Sequence, residues 1–220
     1  MRPAFLSAYV LPVLVTGALA HSEIPIARSA PLLALYIMAI VLIHAGANVL
    51  NDCCDNVNGS DDVNTGRIHP FTGGSRFIQN AVLTGAQSFK LGGALLLAGS
   101  ALGLWVFALS GPGLLVVGLI GVVLAITYTA PPCLVCRGLG DLVVAITFGI
   151  LPLIGVALAL TGRIPIQAWW LGAGVGCFAA AILWIKAIPD VVADRAAGKM
   201  TLHARLGPER RQAAVGPPVE

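Results

Sequence analysis

Charged residues are scarce in this 220-residue chain: they make up 10% of it, where soluble domains carry about a quarter, while 57% is hydrophobic and the mean hydropathy is +0.89. That scarcity excludes a secreted or cytosolic globule. Concentrated positive charge is missing as well. Thirteen Lys and Arg against ten Asp and Glu leave a net +3 spread along the chain, which excludes a nucleic-acid binder. Ten-residue runs of strict apolar and polar alternation are absent, which excludes a transmembrane β-barrel. The five cysteines, Cys53, Cys54, Cys133, Cys136 and Cys177, are odd in number and irregular in spacing, and make no disulfide framework. Cys133-x-x-Cys136 lacks the second pair that a zinc site needs, so both are read as small apolar packing residues in a connection.

What the chain does have is long apolar runs. A bilayer core of about 30 Å takes about 20 helical residues to cross. Six runs qualify as candidate spans: Ala4 to Ala20, Pro31 to Leu50, Leu91 to Leu109, Leu114 to Ala130, Leu139 to Thr161 and Ala168 to Ile188. The expected fold is an all-α integral membrane protein, a six-span helical bundle embedded in the lipid bilayer. Arg2, the apolar run and Ala18-Leu19-Ala20 also match a signal peptide with its cleavage site, but Pro12 and the five later spans favour an uncleaved first span.

Six spans place both termini on one side. With the segment Asn51 to Lys90 and the connection Pro131 to Gly138, that side holds eleven of the thirteen basic residues, leaving Arg28 and Arg163 opposite. The positive-inside rule makes the rich side cytoplasmic, hence a cell inner-membrane protein with cytoplasmic termini.

The acids are the main clue. Asp52, Asp55, Asp61, Asp62, Asp141, Asp190 and Asp194, seven of ten, fall at the cytoplasmic ends of spans. Steps of three or four residues lead from His44 to Asn48, to Asn51 or Asp52, and to Asp55, placing them along one helical stripe, and Lys186, Asp190 and Asp194 repeat the design on the sixth span. Carboxylates at a helix end can be merely solvated. Two clusters on one face point instead to function, because ionisable groups in membrane segments are costly. Magnesium takes one or two carboxylates plus substrate phosphates, so the chemistry implied is diphosphate binding through Mg2+.

These residues resemble a known family. Asn51-Asp52-Cys53-Cys54-Asp55 with Asp61 resembles the first aspartate-rich motif of UbiA-type membrane prenyltransferases, and Pro189-Asp190 through Asp194 to Lys199, Thr201 and Leu202 resembles the second. Tyr128 to Pro132 with Arg137 to Asp141, and Arg2-Pro3 leading to Pro12, agree with the family in order. Asp61 stands where the 1,4-dihydroxy-2-naphthoate branch has its third acid; the commoner spacing would put it at Gly59. Pro70 to Arg76 is similar to a loop of that branch, and its Gly73-Gly74-Ser75-Arg76 suits close approach to a phosphate.

The resemblance implies magnesium-dependent transfer of a polyprenyl group from its diphosphate to an aromatic acceptor, 1,4-dihydroxy-2-naphthoate in menaquinone biosynthesis or, alternatively, 4-hydroxybenzoate or homogentisate. It implies Asn51, Asp55, Asp61, Asp190 and Asp194 as metal ligands. Asp52, Asp55, Asp190, Asp194 and Tyr128 become catalytic candidates, the Tyr128 ring offering its face to a cation. Asn51, Arg67, Gly73, Gly74, Ser75, Arg76, Arg137 and Lys199 become diphosphate contacts.

Lys186 and Ala187 replace the family's Asn and Glu ahead of Asp190, and a lysine there can pair with the acid in place of metal. The family runs to nine spans; this chain is expected to hold the first two thirds, residues 1–207, followed by a polar Pro-rich tail, 208–220. A truncated gene, or a partner chain supplying the missing helices, would explain that, with weak or absent activity expected of the isolated chain. A noncatalytic isoprenoid diphosphate binder stays open. A transporter, with sites near the midplane, fits less well.

Overall fold

The structure, a computed structural model, describes residues 3–21, 25–64 and 74–206. All regular structure among them is helical. Helix α1 (Pro3–His21) leads into α2 (Ile26–Val57) and the short α3 (Ser60–Val63). Then come α4 (Gly85–Ser110), α5 (Gly113–Thr127), α6 (Gly140–Thr161) and α7 (Ile166–Ala187). Two short helices, α8 (Val191–Ala196) and α9 (Leu202–Arg205), complete the described chain.

Four helices, α2, α4, α6 and α7, are long and apolar enough to cross a membrane. Val10–Ala20 within α1 and Gly113–Thr127 are apolar but shorter. All six expected spans fall on helices, with shifted ends. At 32 residues, α2 is about 48 Å long, more than a bilayer core requires, so its acidic end extends beyond the apolar zone. Helix α4 begins earlier than its apolar run because Thr84 and Gln87 form a reciprocal capping box.

Small residues set the closest helix contacts. A Cβ on Gly46 would lie 2.8 Å from the Gly92 carbonyl oxygen and the Leu96 amide, and one on Gly99 2.8 Å from the Ala39 carbonyl oxygen. Helices α2 and α4 thus meet backbone to backbone, as membrane helices do when small residues line the seam. The spacing of Gly172 and Gly176 predicts the same for α7, and there the backbone packs on Gly149 of α6. Gly149 lies in a π-helical turn, Ile146–Ile150. Val13, Tyr36, Val106, Leu114, Leu153 and Val156, drawn from α1, α2, α4, α5 and α6, form the apolar core. Within it the Tyr36 hydroxyl donates to the Pro152 carbonyl oxygen at 2.9 Å.

Two local features differ from expectation. The stripe Lys186, Asp190, Asp194 is not one helix face: α7 stops at Ala187, and Asp190 caps the separate helix α8. Pro189 accounts for the break, since it has no amide hydrogen and its ring collides with the carbonyl four residues back. Cys133 and Cys136, expected to pack as apolar side chains, are joined in a disulfide within the α5–α6 connection, with Cα atoms 5.3 Å apart.

Candidate active site

A cavity of about 570 Å3 opens among α2, α4, α5, α6 and α7. Its volume lies in the range of small-molecule sites. One end is lined by apolar side chains such as Val106, Leu114 and Leu151. The other holds five carboxylates, those of Asp52, Asp55, Asp61, Asp190 and Asp194, with Lys186 and Lys199. All five polar positions of the α2 stripe line it, from His44 to Asp55. The helical spacing therefore delivers what it predicts, a polar ladder climbing from the apolar end to the acids. Asn48 Nδ2 lies 2.9 Å from His44 Nε2, and the His44 ring meets Phe148 edge-on at 4.8 Å.

The second motif reaches the same place by a different route. At the end of α8, Gly198 takes φ +71°; its amide donates to the Arg195 carbonyl at 3.1 Å and the Lys199 amide to the Asp194 carbonyl at 2.8 Å. This is a Schellman close, which needs a residue tolerant of positive φ at that position. It folds Lys199 back over the acids. Lys199 Nζ lies 2.7 Å from Asp55 Oδ1 and 3.9 Å from Asp194 Oδ1, spanning two motifs from opposite ends of the chain. Thr201 donates to Asp194 Oδ2 at 3.3 Å, and Asn64 Nδ2 donates to Asp190 Oδ1 at 2.6 Å.

The first motif is held by the described end of the expected loop, residues 74–76. The Ser75 amide donates to Asp52 Oδ1 at 3.4 Å and its hydroxyl to Asp52 Oδ2. Arg76 Nη2 donates to the Asp61 carbonyl oxygen. Gly74, at φ +67°, lies so close that a Cβ there would stand 3.2 Å from Asp52 Oδ1 and 3.4 Å from both Asp61 carboxylate oxygens. Asn51 Nδ2 donates to Thr129 Oγ1 at 3.0 Å, tying α2 to the end of α5.

Crowding of negative charge shows in the protonation balance. Asp61, 5% exposed, is pushed up to about 6 by burial, then by Asp55 and Asp52, against the pull of Arg76 and Lys199. Asp194 is likewise raised to about 6, by burial and by Asp55 and Asp190, with Lys199 opposing. Burial is the largest single influence on Lys199 and acts to lower it. Asp55 and Asp194 together outweigh that, and the ammonium is held above its ordinary value.

Most expected site residues are thus brought together: Asn51, Asp52, Asp55, Asp61, Gly74, Ser75, Tyr128, Asp190, Asp194 and Lys199 all touch the cavity. Arg76 joins them through the Asp61 carbonyl. Arg137 does not line the cavity; its Nε donates to the Pro132 carbonyl at 2.9 Å, within its own connection. Arg67 and Gly73 lie outside the described residues. Asn64 and Thr201 are buried partners of the second motif that spacing alone does not single out. Thr201 belongs to the second motif by resemblance, whereas Asn64, a short polar residue beside an acidic segment, gives a signal too common to be read without the fold.

A divalent cation suits this donor set. The offered ligands are hard oxygens, and Asp61 Oδ2 is buried without a hydrogen-bond partner. Among the described residues, no three His, Cys, Asp or Glu side chains converge as a ready-made cage. Magnesium does not need one, because it retains waters and completes its shell with substrate phosphates.

Comparison with known proteins adds a family. The family described as the UbiA prenyltransferase family matches residues 9–216. A 1,4-dihydroxy-2-naphthoate octaprenyltransferase of Mycobacterium tuberculosis is 32% identical over 95% of this chain and 69% of its own length. One from Haemophilus influenzae is 30% identical over 94% of this chain and 67% of its own. A UbiA prenyltransferase domain-containing protein 1 of Dictyostelium discoideum is 30% identical over 94% of this chain and 62% of its own. No solved structure matches the chain.

Proposed function

The chain belongs to the UbiA prenyltransferase family of membrane transferases, and we propose that it moves a polyprenyl group from its diphosphate onto 1,4-dihydroxy-2-naphthoate with the help of Mg2+. The observation that carries this reading is the meeting of two acidic motifs, from residues 51–61 and 190–194, at one end of an otherwise apolar cavity. A polyprenyl diphosphate has the same polarity: an anionic head and a long apolar tail. The acceptor follows from the names of the relatives from M. tuberculosis and H. influenzae.

In this reading the head group lies against Asp55, Asp61, Asp190 and Asp194, and the tail runs toward Val106 and Leu114. Mg2+ bound there supplies Lewis-acid stabilisation of the departing diphosphate. The bond between the first prenyl carbon and the diphosphate oxygen breaks with its electron pair going to diphosphate. An electron-rich ring carbon of the acceptor then forms the new carbon–carbon bond, and the ring regains its aromaticity by releasing a proton or, at the carbon that bears the carboxylate, carbon dioxide, with the bonding pair returning to the ring. Lys199 and the Ser75 amide supply hydrogen-bond donors to the leaving group, and the apolar walls keep water from the allylic cation. The Tyr128 ring, at the boundary between acids and apolar wall, offers its face to that charge. The acidic end faces the cytoplasm in this reading, which the distribution of basic residues supports.

The test is prenyl transfer by purified protein in liposomes with 1,4-dihydroxy-2-naphthoate, geranylgeranyl diphosphate and magnesium. Product that depends on magnesium and disappears in Asp55→Ala supports the assignment. Equal product from the variant, or in the presence of a chelator, refutes it.

A further inference from the structure

The ion pair at the centre of the site is unusual in its placement. Lys199 is 9% exposed, and its ammonium is shared by two acids that belong to different elements, Asp55 on α2 and Asp194 on α8. Those acids are also the ones a divalent cation needs. An ammonium held at Oδ1 of both carboxylates and a divalent cation on the same two acids compete, through the shared oxygens and through repulsion between the two positive charges. Without Lys199, five cavity carboxylates would face one another across a low-dielectric space with Lys186 as the other ammonium in the lining, and repulsion between like charges there is strong.

We propose that Lys199 is the resident counter-cation of this site, holding Asp55 and Asp194 together until Mg2+ takes the carboxylates, whereupon the ammonium transfers to the diphosphate oxygens. The inference rests on the metal-dependent reading above and adds a competition to it. The backbone close at Gly198 anchors the lysine one residue away, so its four-carbon stem swings while its Cα stays in place. The exchange conserves charge in a useful order. Before substrate arrives, the ammonium satisfies the acids and weakens magnesium binding. When magnesium and diphosphate arrive together, the same ammonium gains an anionic partner. Metal and diphosphate are thereby made to bind cooperatively, and magnesium alone is held weakly.

The experiment is a magnesium titration by calorimetry on the full chain in detergent, with and without inorganic pyrophosphate. It compares wild type with Lys199→Met, Lys199→Gln and Lys199→Arg, and with Lys90→Met as a control for net charge. In the absence of pyrophosphate, Lys199→Met and Lys199→Gln are expected to bind magnesium about tenfold more tightly than wild type, a coupling of ordinary allosteric size. Lys199→Arg and Lys90→Met stay with wild type. Pyrophosphate tightens magnesium binding in wild type and does so much less in the Met and Gln variants. A merely structural lysine would leave magnesium affinity unchanged or weaken it on removal, which overturns the proposal.

A second measurement needs no folded variant. Acetylation of Lys199 in the wild-type protein, followed by mass spectrometry, is expected to rise on adding magnesium and to fall again with pyrophosphate. Indifference of Lys199 labelling to magnesium overturns the exchange. Failure of wild type and every variant to bind magnesium, with pyrophosphate present, overturns the metal-dependent reading itself. Magnesium binding that is the same in all of them overturns only the counter-cation.

Discussion

Replacing Gly74 by alanine tests whether the segment against the first acidic motif is part of the site. Two penalties act at this position. A non-glycine residue at φ +67° costs about 1–2 kcal/mol. The new methyl group also stands 3.2 Å from Asp52 Oδ1 and 3.4 Å from both oxygens of Asp61, so one partner must give way. What resists undocking is the pair of Ser75 hydrogen bonds to Asp52 and the one from Arg76 to the Asp61 carbonyl, each worth about 1 kcal/mol net. The terms are comparable, so Gly74→Ala should leave the helices folded and shift the segment between docked and undocked. A change of about 1–2 kcal/mol is roughly 5–30-fold in such an equilibrium. The assay is binding of geranylgeranyl diphosphate with magnesium, read as thermal stabilisation in detergent, beside Gly93→Ala, where a Cβ meets nothing within 4 Å. Weakening of affinity by that factor in Gly74→Ala alone is expected. If both variants bind like wild type, the segment is a bystander and its hydrogen bonds to Asp52 carry no weight in binding.

Asp55→Ala and Asp190→Ala should each abolish the stabilisation that magnesium and prenyl diphosphate confer, because each removes a carboxylate from one of the two motifs; persistence of the shift in either would contradict the site. Metal binding must displace protons from Asp61 and Asp194, both held near pH 6, so magnesium affinity measured by calorimetry should be flat above pH 7 and fall by about tenfold or more per unit below 6. The same raised values mean that the folded protein binds more protons than the unfolded chain between about pH 4 and 6. Without metal, stability should therefore decline as pH rises through that window, and a rise would refute the sign. Tyr36→Phe removes the hydroxyl bond to the Pro152 carbonyl and should cost about 1 kcal/mol in thermal unfolding without altering magnesium affinity. Gly176→Leu should prevent folding, judged by gel filtration, since even a Cβ there overlaps the Ala145 carbonyl of α6.

The sequence exposes those parts of the site that repeat along a helix. His44, Asn48, Asn51, Asp52 and Asp55 could be read as one stripe because a single element carries them, and Gly172 with Gly176 announced close packing for the same reason. Contacts between distant segments leave no such period. The meeting of Lys199 with Asp55 across 144 residues, and of Asn64 with Asp190 across 126, depends on how α3 and α8 fold over the cavity. Arg137 was drawn toward the substrate by its charge and its face of the membrane, yet the tight connection around Pro131 and Cys133 turns its guanidinium onto Pro132. Pro189 marks the break before Asp190, while the regular four-residue spacing of Lys186, Asp190 and Asp194 fits a continuous helix; the missing amide hydrogen of the proline decides between the two.

That break divides the site between two separate supports. Helix α2 cannot rock by itself, because its backbone is in contact with α4 at Gly46 and Gly99 along the length of a span. Asp52 and Asp55 are therefore carried on the scaffold. Asp194 lies on, and Lys199 just beyond, a six-residue helix separated from α7 by Pro189 and closed by Gly198. Widening the gap between the two acid groups would turn on the backbone around Pro189 and Gly198 and would break the contacts that bury Val191, Ala193 and Asp194, while the α2–α4 seam stays closed.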